Sequence, residues 1–140
     1  MFPLAISPSY AAGLLLAHTL VWKLAMTALF RLKLTDGRVP KAEVDKIASS
    51  QMYLRWWAAQ KNEAEYAGIF VAYNLYLAAT GQTNAWATTL QLVGQALYTL
   101  PRAVFGHYHE GGPVRFPGPY VPGAVIRYAG LGLATYGLLA

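Results

Sequence analysis

The chain has no cysteine. No disulfide constrains it, and the protein supplies neither a thiolate nucleophile nor a thiolate metal ligand. Any thiol in its chemistry must arrive on a second molecule. Charge is almost as scarce: Asp, Glu, Lys and Arg make up 12% of 140 residues, against 56% hydrophobic residues. An ordinary soluble domain carries about twice that charged fraction. The shortage is also blocked, since residues 1–22, 66–101 and 128–140 contain no charged side chain. Charges are costly in hydrocarbon, so blocks of this kind point to a membrane. Motifs for dinucleotide binding, phosphate-cradling loops or catalytic triads are absent, and no internal repeat is visible. A basic n-region is missing before the first apolar run, which argues against a cleavable leader.

What the sequence does contain is four apolar segments. They predict helices over about 10–31, 51–79, 85–105 and 121–140. Asp36-Gly37 and Pro40 break the chain after the first, and Thr80-Gly81-Gln82-Thr83-Asn84 forms a turn after the second. A Gly/Pro-rich loop from His107 to Tyr120 precedes the fourth. The expectation is an all-α fold, a single integral membrane domain over residues 1–140 built as a four-transmembrane-helix bundle. The net charge of +5 comes from basic residues at segment ends, among them Arg31, Lys33, Arg38, Lys41, Lys46, Arg55, Arg102 and Arg115. That pattern is a topology signal rather than a nucleic-acid signal. It places both basic loops in the cytoplasm and both termini opposite, in a bacterial inner membrane or a eukaryotic internal membrane.

Segment length forces polar groups into the bilayer. Residues 66–79 are too few to span, so the second helix must extend back to about Gln60, setting Glu65 on the order of 8 Å inside the cytoplasmic boundary. The same count along the fourth helix sets Arg127 on the order of 9 Å inside. On a helical wheel Arg55, Asn62, Glu65 and Tyr66 share a sector of about 100°. Two readings stand side by side: a structural Arg127–Glu65 pair that fixes packing, and a polar, anion-accepting pocket at the interface. Other polar residues read as structural. His18 is packed or hydrogen-bonded, Lys23 snorkels, Trp56 and Trp57 anchor at the interface, and Asn74 bonds between helices. His107, His109 and Glu110 are too few to hold a metal.

The run Arg55-Trp-Trp-Ala-Ala-Gln60-Lys-Asn62-Glu-Ala-Glu65-Tyr66 resembles the second-helix signature of the membrane-associated proteins in eicosanoid and glutathione metabolism, the MAPEG family. Arg102-Ala-Val-Phe-Gly-His107-Tyr108 is similar to that family's third-helix end. The resemblance implies a homotrimer with glutathione bound near the cytoplasmic face between subunits. It further implies conjugation or reduction of lipophilic electrophiles drawn from membrane lipid. Arg31, Arg55, Gln60, Asn62, Glu65, Tyr66 and Tyr108 would then bind glutathione, and Arg127 would stabilise its thiolate. Gln60 points away from the stripe, toward a neighbouring subunit's site or none. The sequence departs from the pattern at Ala58, where many members carry arginine, and in the length of the loop before Arg127. The alternative from the same resemblance is a non-catalytic lipid-binding scaffold or an accessory subunit of a membrane complex.

Overall fold

A computed structural model describes residues 2–109, 112–115, 118 and 120–139, with backbone alone at 109 and 112–115. Glu110 lies outside the described residues, as do the side chains of His109 and Arg115. The chain is mostly helical, as an all-α protein should be. Helix α1 (Pro8–Met26) continues through a π-helical turn (Thr27–Arg31) into a last turn, α2 (Leu32–Thr35). The short α3 (Lys41–Ala48) follows, then α4 (Gln51–Thr80) and α5 (Ala85–Phe105). Strands β1 (His107–His109) and β2 (Gly112–Arg115) pair antiparallel before α6 (Tyr120–Leu139).

The helix ends have local causes. Ser7 caps α1 by accepting from the Tyr10 amide at 3.3 Å, with Pro8 in the first turn, where its missing N–H costs nothing. Ser50 caps α4 through the Tyr53 amide at 3.2 Å, and Asn84 caps α5 through the Ala87 amide at 3.0 Å. Helix α4 stops at Gly81, whose φ of 70° is left-handed, and the Gln82 amide then reaches the Leu77 carbonyl at 2.9 Å. Three expectations needed amendment. The first helix runs beyond 10–31 at both ends, α3 occupies part of the first basic loop, and the Gly/Pro-rich loop carries a strand pair.

The four long helices pack as α1 on α4, α4 on α5 and α5 on α6, the last contact being the most extensive. Trp22 of α1 meets Trp56 of α4 edge to face at 5.0 Å, over Ala59 and Ala103. Helices α5 and α6 touch through backbone. A Cβ on Gly94 would lie 2.6 Å from the Arg127 nitrogen, one on Gly123 2.7 Å from the Tyr98 nitrogen, and one on Gly130 2.9 Å from the Gln91 nitrogen. Gly123, Arg127, Gly130 and Ala134 form the buried stripe of α6. Pro101 cannot donate to the Leu97 carbonyl, and Gly123 brings α6 against that same turn.

The interior holds many polar groups beside its apolar ones, and the outside carries many large apolar side chains. Glu63, Asn74, Gln91, Gln95, Thr99 and Arg127 are buried, while Leu16, Leu20, Leu24, Leu75, Leu100 and Leu139 are exposed. The interior polar groups join helices. Asn74 donates to the Gln91 Oε1 at 2.7 Å and accepts from Thr88 at 2.9 Å, linking α4 to α5 as expected of it. Among the described residues one helix, Pro8–Thr35, is long and apolar enough to cross a membrane by itself, with a mean hydropathy of 1.5. Gly94→Ala should destabilise the protein by about 1–3 kcal/mol, since neither backbone can move aside cheaply. Gly13, with nothing within 4 Å of its Cβ position, should tolerate alanine without loss. Thermal unfolding of the two detergent-solubilised variants checks both.

Candidate functional site: a buried arginine between two tyrosines

Arg127 is placed by the glycine stripe. Its backbone lies against Gly94, so its side chain cannot leave along the α5–α6 seam and stays within the bundle, where the residue is 0% exposed. The guanidinium carbon sits 3.8 Å from the Tyr66 ring centroid on α4 and 3.7 Å from the Tyr98 ring centroid on α5. Aromatic faces attract cations, by about 2 kcal/mol when desolvated. Among the described residues none of the three guanidinium nitrogens makes a hydrogen bond of good geometry, although the Tyr128 hydroxyl comes close enough to interact with the guanidinium. No ion pair to it occurs among them either. The structural Arg127–Glu65 pair therefore does not form, and Glu65 is exposed on α4.

Tyr98 connects this cation to a second one. Its hydroxyl donates to Asn62 Oδ1 at 3.0 Å, accepts from Arg102 Nη1 at 2.8 Å and lies 2.9 Å from the Tyr120 hydroxyl. Arg102 also donates from Nε to the Tyr108 hydroxyl. Its guanidinium carbon stands 5.3–5.6 Å from the rings of Tyr98, Tyr108 and Tyr120. Burial raises the Tyr108 hydroxyl above its ordinary pKa, against the opposing pull of Arg102, so it stays protonated at neutral pH. Gln51 fixes the Tyr108 backbone, accepting from its amide at 3.0 Å and donating to its carbonyl. Tyr66 and Tyr128 face each other through hydroxyls 3.1 Å apart.

Of the residues singled out by sequence, Asn62, Tyr66, Tyr108 and Arg127 thus belong to one network. Others engage elsewhere in the single chain. Arg31 donates to Gln60 Oε1 at 3.0 Å, and Arg55 donates to the Val104 carbonyl at 2.7 Å at the end of α5. Tyr98, Arg102 and Tyr120 were not singled out as site residues. The signal was present in α5: Gln91, Gly94, Gln95, Tyr98 and Arg102 recur at helical spacing on an otherwise apolar helix.

A second buried polar cluster joins α1, α4 and α5. Glu63, fully buried, accepts from the Thr19 hydroxyl, and His18 Nδ1 lies 3.7 Å from its Oε1. Trp22 Nε1 donates to His18 Nε2 at 2.9 Å, which leaves the proton of a neutral ring on Nδ1, facing the carboxylate. His18 is hydrogen-bonded, as its place on an apolar helix suggested.

A buried cation without an acceptor costs several kcal/mol in desolvation. Arg127→Met keeps an unbranched stem as far as the position of Nε and removes the guanidinium with its charge. In the absence of ligand it should unfold at or above the wild-type temperature. A drop of several degrees would show that the contacts of the guanidinium with the rings and its other neighbours outweigh its desolvation.

Comparison of the chain with family models, with curated proteins and with solved structures finds no match.

Proposed function

We propose that the protein is a multi-pass membrane protein, with α1, α4, α5 and α6 as its four spans and the basic loops cytoplasmic. In this reading it acts as a glutathione-dependent transferase or peroxidase on lipophilic electrophiles. The interior polar groups and the lipophilic exterior support the membrane assignment, because helices in lipid bury polar side chains against one another. The observation that carries the chemistry is the fully buried Arg127 guanidinium, which faces no anion and makes no hydrogen bond of good geometry among the described residues. A cation held in low dielectric between two rings is suited to an anion that arrives with a ligand.

Glutathione would supply the nucleophilic sulfur that the chain lacks. Arg127 favours the ionised thiol by charge, and Tyr66 and Tyr98 hold the guanidinium between their rings. Tyr108, protonated and linked to Arg127 through Arg102 and Tyr98, offers a donor. Asn62 offers an amide that exchanges its present bonds to Tyr98 and the Ala58 carbonyl for the ligand. Glu65 is exposed, and Arg31, Gln60 and Arg55 engage outside the Arg127 network. Assembly as a homotrimer would give Glu65, Arg31 and Arg55 a role at an adjacent copy's site and cover an exposed carboxylate that lipid would not tolerate, while Gln60 stays buried in its own chain against Arg31. The apolar partner partitions from membrane lipid while glutathione enters from the aqueous side.

A second reading, a lipid-binding scaffold without catalysis, is favoured by one feature. An apolar groove of about 460 Å³ runs between α4 and α6, with Ile69, Tyr73, Leu131 and Leu138 along it.

Calorimetry with millimolar glutathione on the detergent-solubilised protein separates the two. The enzyme reading expects wild-type binding, at least tenfold weaker binding for Asn62→Ala/Glu65→Ala, and an Arg127→Ala variant that binds but does not conjugate a model electrophile. No wild-type heat at millimolar ligand rejects it.

A further inference from the structure

A groove of about 830 Å³ lies where the long first helix ends, between the π-helical turn, α3 and the start of α4. Its walls are apolar, with Leu29 and Phe30 from the π turn, Ile47 from α3 and Met52 from α4. Leu29 and Met52 are 40% and 44% exposed, so the apolar surface is open to a ligand. Lys33 and Lys46 stand on its rim, exposed, and among the described residues neither ammonium makes a hydrogen bond or ion pair. Glu43 shares the rim, leaving the three side chains with a net charge of +1.

The level of the groove follows from helix length. Twenty-eight residues from Pro8 to Thr35 extend about 42 Å, against a hydrocarbon core of about 30 Å. With the excess at the basic end, Leu29 to Thr35 emerge into the headgroup layer, and Lys23 lies close enough below to snorkel there. π turns inside α-helices commonly mark functional sites. Here the turn presents Leu29 and Phe30 to the groove.

We infer that this groove binds a single anionic glycerophospholipid, with an acyl chain against Leu29, Phe30 and Met52 and the phosphodiester between Lys33 and Lys46. The charge match is specific. A phosphodiester lipid with a neutral headgroup carries one negative charge, equal and opposite to the rim, whereas phosphatidylcholine is neutral overall. The inference rests on the membrane part of the proposed function and is independent of glutathione.

Native mass spectrometry of the full chain, equilibrated with equal phosphatidylglycerol and phosphatidylcholine, tests it. Wild type should retain phosphatidylglycerol preferentially. Lys33→Gln/Lys46→Gln should weaken that retention by roughly fivefold per lysine without changing phosphatidylcholine. Ile47→Asp should weaken it through the apolar wall. Arg38→Gln/Lys41→Gln removes the same charge outside the groove and should leave retention unchanged. Equal uptake of the two lipids by wild type, equal loss in the two double variants, or unchanged retention in the first overturns the inference. If neither lipid is retained, the membrane reading fails with it.

Discussion

The close contact of α5 and α6 at Gly94 and Arg127 governs the rest of the molecule. Backbones at that distance leave no room to turn a long side chain outward, so a permanently charged group is enclosed among helices. The charge then dictates what can surround it. Tyr66 and Tyr98 supply the faces that make the guanidinium tolerable, and the Tyr98 hydroxyl must in turn be satisfied, which recruits Asn62, Arg102 and Tyr120. One tight helix contact thereby organises groups from α4, α5 and α6 into a single polar network. Tyr108 of the strand pair enters it through Arg102.

The remaining interior follows the same economy. Asn74, Gln91 and Thr88 pair across α4 and α5, and Glu63 is met by Thr19 and His18 of α1. In the proposed membrane setting these groups hold helices together, because lipid leaves apolar helix surfaces no hydrophobic drive to associate. Arg127 differs from them in degree: among the described residues Glu63, His18 and Gln91 each leave one buried polar atom without a partner while another atom bonds, whereas none of the three Arg127 nitrogens makes a hydrogen bond of good geometry. A purely structural polar group is ordinarily satisfied, and this difference separates a packing device from a binding group.

Much of this architecture was legible in the amino-acid order. Caps such as Ser50, Asn84 and Gly81 sit at the ends of charge-poor runs, and the expectation that Arg127 lies level with the Asn62–Tyr66 turn agrees with its contact to Tyr66. What escaped prediction depended on contacts between segments. The wheel grouped Glu65 with Asn62 and Tyr66, yet Glu63 is the buried carboxylate, because α1 offers Thr19 and His18 on that side. Tyr98 looked like one aromatic among ten tyrosines until the Gly94 contact set Arg127 over its ring. The π turn lies inside an apolar run that reads as plain helix, and α3, although amphipathic, is only eight residues long and sits in a polar, basic loop.

The central claim is that Arg127 serves an anion delivered by a ligand, and the ionisation of a bound thiol reports on it most directly. Ultraviolet difference absorbance of the glutathione complex, titrated with pH, follows the thiolate. The account predicts that the bound thiol ionises well below its ordinary value of about 8.5 in the wild type and returns toward that value in Arg127→Gln. The same titration curve in both proteins would contradict it.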